Sequence, residues 1–591
     1  MDTSQQKPSV EQEGRAAVCE KALERHVTEL CACGERLSGT EGEQKACDYI
    51  VRELKAAGLS PEVHTLKGLI SLPLDARVTV TFPEIFDVAA IGVSFGLSTP
   101  PEGVSAPLVD VGGGAAADYA GKDTQGKIAL VDNLPRGALA IEALRHGCVG
   151  MICRSKSHRQ HRLIISPVWG SPSAEEYVRL PRIPVASVNA EDGKRLAELC
   201  LSGEARVTLY AKNDEGWREM PLPSVEIKGR RPEFLLVGSH YCSWYDGATD
   251  NATGNSSLIE LAKLFWKHRD SLTFGVRFCW WPGHSQGRYA GSTWYADTFH
   301  QELSDRCVAY FNIDSPGVRG ATVYVPQDEM AEIAAFNENC IRELAKYSSL
   351  TTHQGVFTKR GRPGKYINIR RPNRSADQSF WGVGLTSISI YSMVPPTHPD
   401  FCTYASGCGG AWWWHSIDDT LDKMDPAVLA EDTRIFWTAM YRLCTSPVLP
   451  YDFAATAGDY LDALREYAEA AGTAMDFVPL RDNLEQLKNE AAAFAQKTSG
   501  IAEEDAAVRI VRTQLALCRT LIPTLYTEVD STEQQPSVPA RLLPLLQDAL
   551  LLEALPETGW KRQSLLVGLK KRLNRVNKAV LAARRLLAAA Y

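Results

Sequence analysis

Gly238-Ser239-His240-Tyr241-Cys242-Ser243-Trp244, followed by Asp250-Asn251-Ala252-Thr253-Gly254, decides the fold of this 591-residue chain. The apolar run 235–237 leads into His240 as a buried strand leads to its carboxyl end. Asp250 then falls in a turn before 251–255, which opens a helix. Open α/β sheets gather ligands at the carboxyl ends of their strands, so His240 and Asp250 are placed to share one.

The same texture extends outward over about 224–445. Buried strands are expected at 234–237, 275–280, 308–311 and 386–390, with helical patterns between several of them, as in a largely parallel sheet. Asp314 ends the strand through Phe311-Asn312-Ile313, and His415 follows Trp412-Trp413-Trp414. Taken singly, such a histidine is an ordinary hydrogen-bonded residue and such an aspartate a helix N-cap. Together, His240, Asp250, Asp314 and His415 at successive strand ends suit zinc or a similar divalent ion.

The flanks differ in composition. Residues 15–58 carry apolar positions at helical spacing, stopped by Gly58. From 68 to 215 short β-rich runs such as 78–82 and 127–131 alternate with Gly- and Pro-rich turns, with a helix at 137–144. Residues 453–591 are rich in Ala, Leu, Glu, Lys and Arg, and 565–587 form a basic amphipathic helix. A helical bundle is expected there, packed on the catalytic part or on a second subunit; a membrane-surface helix is the alternative. The division is therefore 1–67, 68–215, 216–447 and 448–591. No internal repeat is evident.

Net charge −7 and a pI near 6.0 give no basic surface for nucleic acid. No apolar run reaches the length of about 18 residues expected of a membrane span, and the polar N-terminus lacks the apolar core of a signal peptide. The 15 scattered cysteines read as reduced thiols, so a cytoplasmic location is expected.

The segments around His240 and Asp250, with Asn312-Ile313-Asp314 and the run 415–425, resemble the di-zinc aminopeptidase superfamily, which includes glutamate carboxypeptidase and the non-catalytic transferrin receptor. The resemblance implies an α/β metallopeptidase-like domain carrying an inserted β-rich protease-associated domain and a C-terminal helical bundle. It also implies zinc, one or two ions, a small-molecule or short-peptide substrate and a homodimer. Carried over by position, His240 and Asp314 would hold one ion, Asp250 would bridge two, and His415 would hold the second.

Three positions depart from that pattern. In Trp280-Trp281-Pro282-Gly283-His284-Ser285-Gln286-Gly287, His284 stands where the family has its general base, and Ser285 where it has a glutamate ligand. Cys242 replaces an aspartate that orients the first histidine. Ser285, a neutral hydroxyl, binds a divalent ion weakly. His284 then either supplies a nitrogen ligand or acts as the base, since its ordinary pKa near 6.5 suits proton transfer. Cys242 is either a thiolate ligand or a small buried thiol.

Arg288 and Tyr289 follow in a glycine-punctuated turn, facing substrate or merely starting a helix. Asp377 begins a segment that the resemblance places near the site. The basic loop 359–374 before it either binds a carboxylate-bearing substrate through arginine pairs or is solvated surface. Of the three tryptophans at 412–414, at least one is expected to line a pocket.

The leading functional reading is a metal-dependent hydrolase of peptide or amide bonds. The alternatives are a single-metal acyl transferase, cyclase or lyase on the same scaffold, and a binding or scaffolding protein without catalysis.

Overall fold

The computed structural model describes residues 8–326, 330–345, 374, 376–537 and 541–590. Three helices come first: α1 (Val10–Ala17), α2 (Glu20–Cys31) and α3 (Glu41–Ala56). Ser9 and Gln12 cap α1 reciprocally, and Gly58, at φ 84°, follows the end of α3.

Two long strands, β1 (Glu62–Phe82) and β7 (Arg206–Ile227), pair antiparallel from Glu62↔Ser224 to Phe82↔Arg206. They run through positions 67–68 and 215–216, where the sequence changes texture. Between them lies a smaller α/β unit: β2 (Phe86–Gly92), β3 (Val104–Asp110), β4 (Ile128–Val131), α4 (Gly137–Arg145), β5 (Gly150–Arg154), α5 (Ala174–Tyr177), β6 (Val185–Val188) and α6 (Ala190–Cys200). Strands β3, β4, β5 and β6 are parallel in that order. Their side chains alternate between two apolar clusters, Ala129, Val131 and Met151 on one face and Ile128, Leu130 and Ile152 on the other.

The remaining strands and helices form the larger domain: β8 (Phe234–His240), α7 (Thr253–Lys267), β9 (Gly275–Trp281), α8 (Ala290–Thr298), α9 (His300–Arg306), β10 (Cys307–Asn312), β11 (Val323–Pro326), α10 (Ala331–Leu344), β12 (Thr386–Met393) and α11 (Pro426–Thr445). Strands β9, β8, β10 and β12 lie side by side and parallel, and β11 closes the edge antiparallel. The far half of β7 pairs with β9, so the described strands form one 12-stranded sheet.

Every residue of β8, β9 and β10 is buried. That is why they read as unbroken apolar runs: helices cover both faces of a parallel sheet. Leu235, Val237, Val276 and Phe278 point to the side of α2, α3, α7 and α11; Leu236, Cys279, Trp281 and Tyr310 point to the side of α8. The chain passes from β8 outward to β9 and returns to β10 on the other side of β8. Chain order reverses there, and ligands collect at such a reversal.

Helices α12 (Phe453–Ala471), α13 (Val478–Thr498), α14 (Glu504–Tyr526) and α15 (Trp560–Ala588) complete the chain. In α15, Leu569, Leu573, Val576, Val580, Ala583 and Leu587 are buried, an alternating four-and-three spacing that marks a bundle seam. The stripe joins the same core as the central sheet. The bundle therefore packs on its own chain, and the membrane-surface alternative for this helix falls away. None of the described helices is long and apolar enough to cross a membrane.

Asp432 of α11 fastens this helix to the sheet. Its carboxylate accepts from Gly317 N at 2.7 Å and from Ser392 Oγ at 2.6 Å. Burial pushes the carboxyl up to about 6, against the pull of those bonds. A carboxyl raised in the folded state stabilises fully below its unfolded value, and that contribution is lost as pH rises through about 6. The stability cost of Asp432→Asn should therefore shrink between pH 4.5 and 7.5, by about 2 kcal/mol. Urea unfolding at the two pH values measures it; a cost independent of pH would contradict the assignment.

Candidate metal centre

Three adjacent strand ends bring the sequence-predicted residues together. His240 closes β8, and its Nδ1 lies 3.0 Å from the Cys242 carbonyl, to which it donates. That bond leaves Nε2 facing inward. Nε2 lies 3.1 Å from Oδ1 of Asp250 and 3.5 Å from Oδ1 of Asp314, without hydrogen-bond geometry to either. Across the site, His415 donates from Nδ1 to the Arg162 carbonyl at 2.7 Å, and its Nε2 lies 3.2 Å from Oδ2 of Asp250. Asp250 thus presents one carboxylate oxygen to each histidine.

These spacings fit a divalent ion. With bonds of 2.0–2.2 Å to nitrogen and oxygen, neighbouring tetrahedral ligands stand roughly 3.3 Å apart. The buried, unbonded Nε2 of His240 between two carboxylates is the donor such an ion would satisfy. Burial alone would lower the His240 pKa, but the carboxylates of Asp314 and Asp250 outweigh it and hold it well above the ordinary value. Burial likewise opposes ionisation of Asp250, yet His240 and His415 hold its carboxyl well below the usual range. Metal uptake at this site therefore releases a proton.

A second layer fixes these side chains. Asp419 accepts from Thr249 N (2.9 Å), Thr249 Oγ1 (2.6 Å) and Asp250 N (3.0 Å), which sets the turn that carries Asp250. Burial raises the Asp419 carboxyl to about 6. The Asn251 side chain ties three elements together, donating to Ser239 Oγ and the Ile313 carbonyl and accepting from Gly254 N and Ser315 N. Arg36, wholly buried between α2 and α3, donates to the carbonyls of Leu30, Tyr241, Asp246 and Gly247 and so holds the loop after His240. Sequence reading missed Arg36 and Asp419 as parts of the centre. A lone arginine some 200 residues away carries no signal, whereas Asp419 lay within the motif around His415.

The departures cluster on the opposite wall. His284, three residues beyond β9, stacks on His240 with ring centroids 3.7 Å apart, and its Nδ1 lies 2.8 Å from Oδ2 of Asp377. Burial, and then the charge on His240, lower its pKa against the pull of Asp377. Asp377 is fully buried and also accepts from Ser292 Oγ at 2.7 Å. Cys242 turns its sulfur toward the His284 main chain, accepting from N at 3.3 Å, and stands outside the group of potential ligands. Ser285 is buried, and its hydroxyl makes no hydrogen bond among the described residues. Tyr289 meets the His284 ring edge-on at 4.8 Å and lies against Trp169 at 4.1 Å. Arg288 packs over Tyr289 and bonds Ser537 Oγ. Most of the basic loop 359–374 lies outside the described residues. Its last member, Arg374, packs over Trp169 at 3.8 Å and donates to the Gln378 carbonyl.

Trp413 and Trp414 are both buried in one apolar cluster with Leu134 and Leu163 of the smaller domain, and Trp412, partly exposed, packs against it. Trp414 also stacks on the His415 ring at 4.0 Å. A third side of that cluster comes from another domain, which the local sequence does not show. The smaller domain reaches the centre at the same place: Arg162 orients His415, His161 Nδ1 bonds the Trp414 carbonyl at 2.5 Å, and Arg159 pairs with Asp418 at 2.6 Å.

Residues 224–440 match the family model described as Peptidase family M28, and residues 104–196 match that of the PA domain. Carboxypeptidase Q of Bos taurus is 26% identical over 296 residues, which are 46% of this chain and 61% of that protein. The probable glutamate carboxypeptidase VP8 of Zea mays is 21% identical over 506 residues, 73% and 68% of the two chains. Leucine aminopeptidase 2 of Arthroderma otae is 27% identical over 299 residues, 48% and 54%. The chain thus spans between about half and two thirds of the length of these relatives. Among solved structures, BSAP, a zinc aminopeptidase from Bacillus subtilis, superposes with a TM-score of 0.53 at 20% identity, covering 72% of this chain and 94% of that one. A peptidase M28 precursor from Shewanella amazonensis gives 0.54 at 18%, covering 74% and 96%. At these identities the structures establish the fold.

Supporting carboxylates raise metal affinity by fixing the ligands. Asp419→Ala should weaken zinc binding by roughly 10–100-fold, and Asp419→Asn, which keeps an acceptor oxygen, by less. Competition against a chromophoric chelator reads this directly; unchanged affinity in both variants would remove Asp419 from the centre.

Proposed function

We propose that this chain, built on a peptidase family M28 domain preceded by a PA domain, is a metal-dependent hydrolase of peptide or amide bonds acting on a small substrate. One observation carries the reading: the two oxygens of Asp250 face the Nε2 atoms of two different histidines at 3.1 and 3.2 Å. An ion pair would need only one histidine. A carboxylate shared between two imidazoles, with Asp314 beside the first, is a chelating set. His240, Asp250 and Asp314 would hold an ion on one side and Asp250 with His415 on the other; zinc suits this mixture of nitrogen and oxygen donors. Such an ion polarises a scissile carbonyl and acidifies water for attack.

The chain's own residues supply the rest. Asp419 and Asn251 keep Asp250 from turning away, and the segment from Arg159 to Leu163 packs against the loop that carries His415. Tyr289 and Trp169 offer an aromatic wall beside it. Arg288 supports a carboxylate on the substrate. Among the described residues its guanidinium meets no acidic side chain, its one hydrogen-bond partner is the Ser537 hydroxyl, and its Nε is buried without a partner. The reading also places the protein in a reducing compartment, which 15 unpaired cysteines support, and includes a homodimer, to be checked by light scattering.

Asp250→Ala should abolish tight metal binding and lower hydrolysis of a responsive dipeptide by about a hundredfold or more. A wild-type protein that takes up no metal when supplied with it would sink the reading. Arg288→Gln should raise KM for carboxylate-bearing substrates by about 10–100-fold, the worth of a charged hydrogen bond, and leave neutral ones unchanged. Equal effects on both substrate classes would assign Arg288 to structure alone.

A further inference from the structure

We propose that His284 is a metal ligand: with His240, Asp314 and Asp250 it completes one tight position, and the side at His415 is left too poor in ligands to hold an ion of its own tightly. This rests on the metal-dependent reading above and changes which residues do the holding.

Among the described residues one group of three His, Cys, Asp or Glu side chains can converge on an ion, and it is His240, His284 and Asp314, whose ligand atoms lie within 4.8 Å of one another. Asp250 adjoins that group through His240 at 3.1 Å. Among the described acidic side chains His415 pairs with Asp250 alone, and the residue next to His284 is Ser285, whose neutral hydroxyl is a weak donor. Among the described residues the anionic ligand missing on the His415 side is therefore not replaced there. The new nitrogen appears on the opposite side, beside His240.

His284 is also prepared as metal-binding histidines are. Such residues nearly always donate their other ring nitrogen to a carboxylate or main-chain oxygen, which fixes the tautomer and aims the lone pair. His240 donates Nδ1 to the Cys242 carbonyl and His415 to that of Arg162. His284 does the same to Asp377, itself held by Ser292. The nitrogen left with a lone pair is Nε2. The ring is clamped between His240, stacked at 3.7 Å, and the edge contact with Tyr289 at 4.8 Å. The Cys242 sulfur accepts from the His284 main chain at 3.3 Å, so the altered residue at 242 helps set the altered one at 284. A coordinated Nε2 cannot also take a proton, so His284 is not the base in this arrangement.

The test is zinc titration of the full chain, with metal content by elemental analysis. Wild type should bind one ion tightly. His284→Ala should weaken that site by about a hundredfold or more, and Asp377→Asn by roughly tenfold or more. His415→Ala should leave it nearly unchanged. His284→Cys, loaded with cobalt, should restore tight binding and add a sulfur-to-cobalt absorption absent from wild type. The proposal is overturned if two ions bind wild type with equal tightness. It is overturned equally if His415→Ala weakens the site while His284→Ala does not, or if the cysteine variant shows no new absorption. Wild type that binds no zinc overturns the metal reading itself, which separates the two failures.

Discussion

Everything at the carboxyl edge of the sheet depends on where the Asp250 carboxylate points. It stands between His240 and His415, which come from opposite ends of the domain sequence, and one oxygen faces each. A buried carboxylate flanked by two imidazoles would be costly unless each donor were held in place. The surrounding polar residues do that holding. Asp419 grips the main chain of Asp250 from one side, and Asn251 pins the neighbouring peptide to the ends of β8 and β10 from the other. The turn is over-determined by hydrogen bonds.

The two domains are coupled through the same centre. The antiparallel pair β1 and β7 carries the smaller domain on the central sheet as one continuous set of strands. At the far end of that domain, 159–163 return to the metal-facing loop, and the Arg162 carbonyl orients His415. Trp413 and Trp414 pack against Leu134 and Leu163 from across the boundary. The second histidine is thus positioned by a domain that contributes no ligand side chain of its own.

Two of the three residues that depart from the pattern of the resembled family, Cys242 and His284, form a connected group with Asp377. Cys242, His284 and Asp377 touch in sequence, sulfur to main chain and imidazole to carboxylate, with Ser292 behind them. Random loss would leave a histidine turned to solvent or a carboxylate without a partner. Instead the His284 imidazole is partly buried, stacked and hydrogen-bonded, and the residue beside it is a buried serine.

How much was legible follows from how each feature is encoded. The strands 234–237, 275–280 and 308–311 were legible because burial on both faces writes an unbroken apolar run, and the seam of α15 because a helix facing a core repeats every three or four residues. His240, Asp250 and Asp314 stood out because each sits at or just after the end of a strand, a local fact, whereas His415 lies within the long connection between β12 and α11. Arg36 was invisible, since its role is to cap main-chain carbonyls supplied by residues far along the chain. The packing of three successive tryptophans was not legible, because part of the surface that buries them comes from a different domain. By itself the sequence determined the α/β class, the donor types and the oddity at 284 and 285, all of which follow from short-range pattern. Only the tertiary structure decided that His284 turns toward His240 and Asp314 and away from His415. That choice is made by Asp377, nearly a hundred residues downstream, whose carboxylate reaches Nδ1 only once β9, α8 and the segment before β12 have packed together.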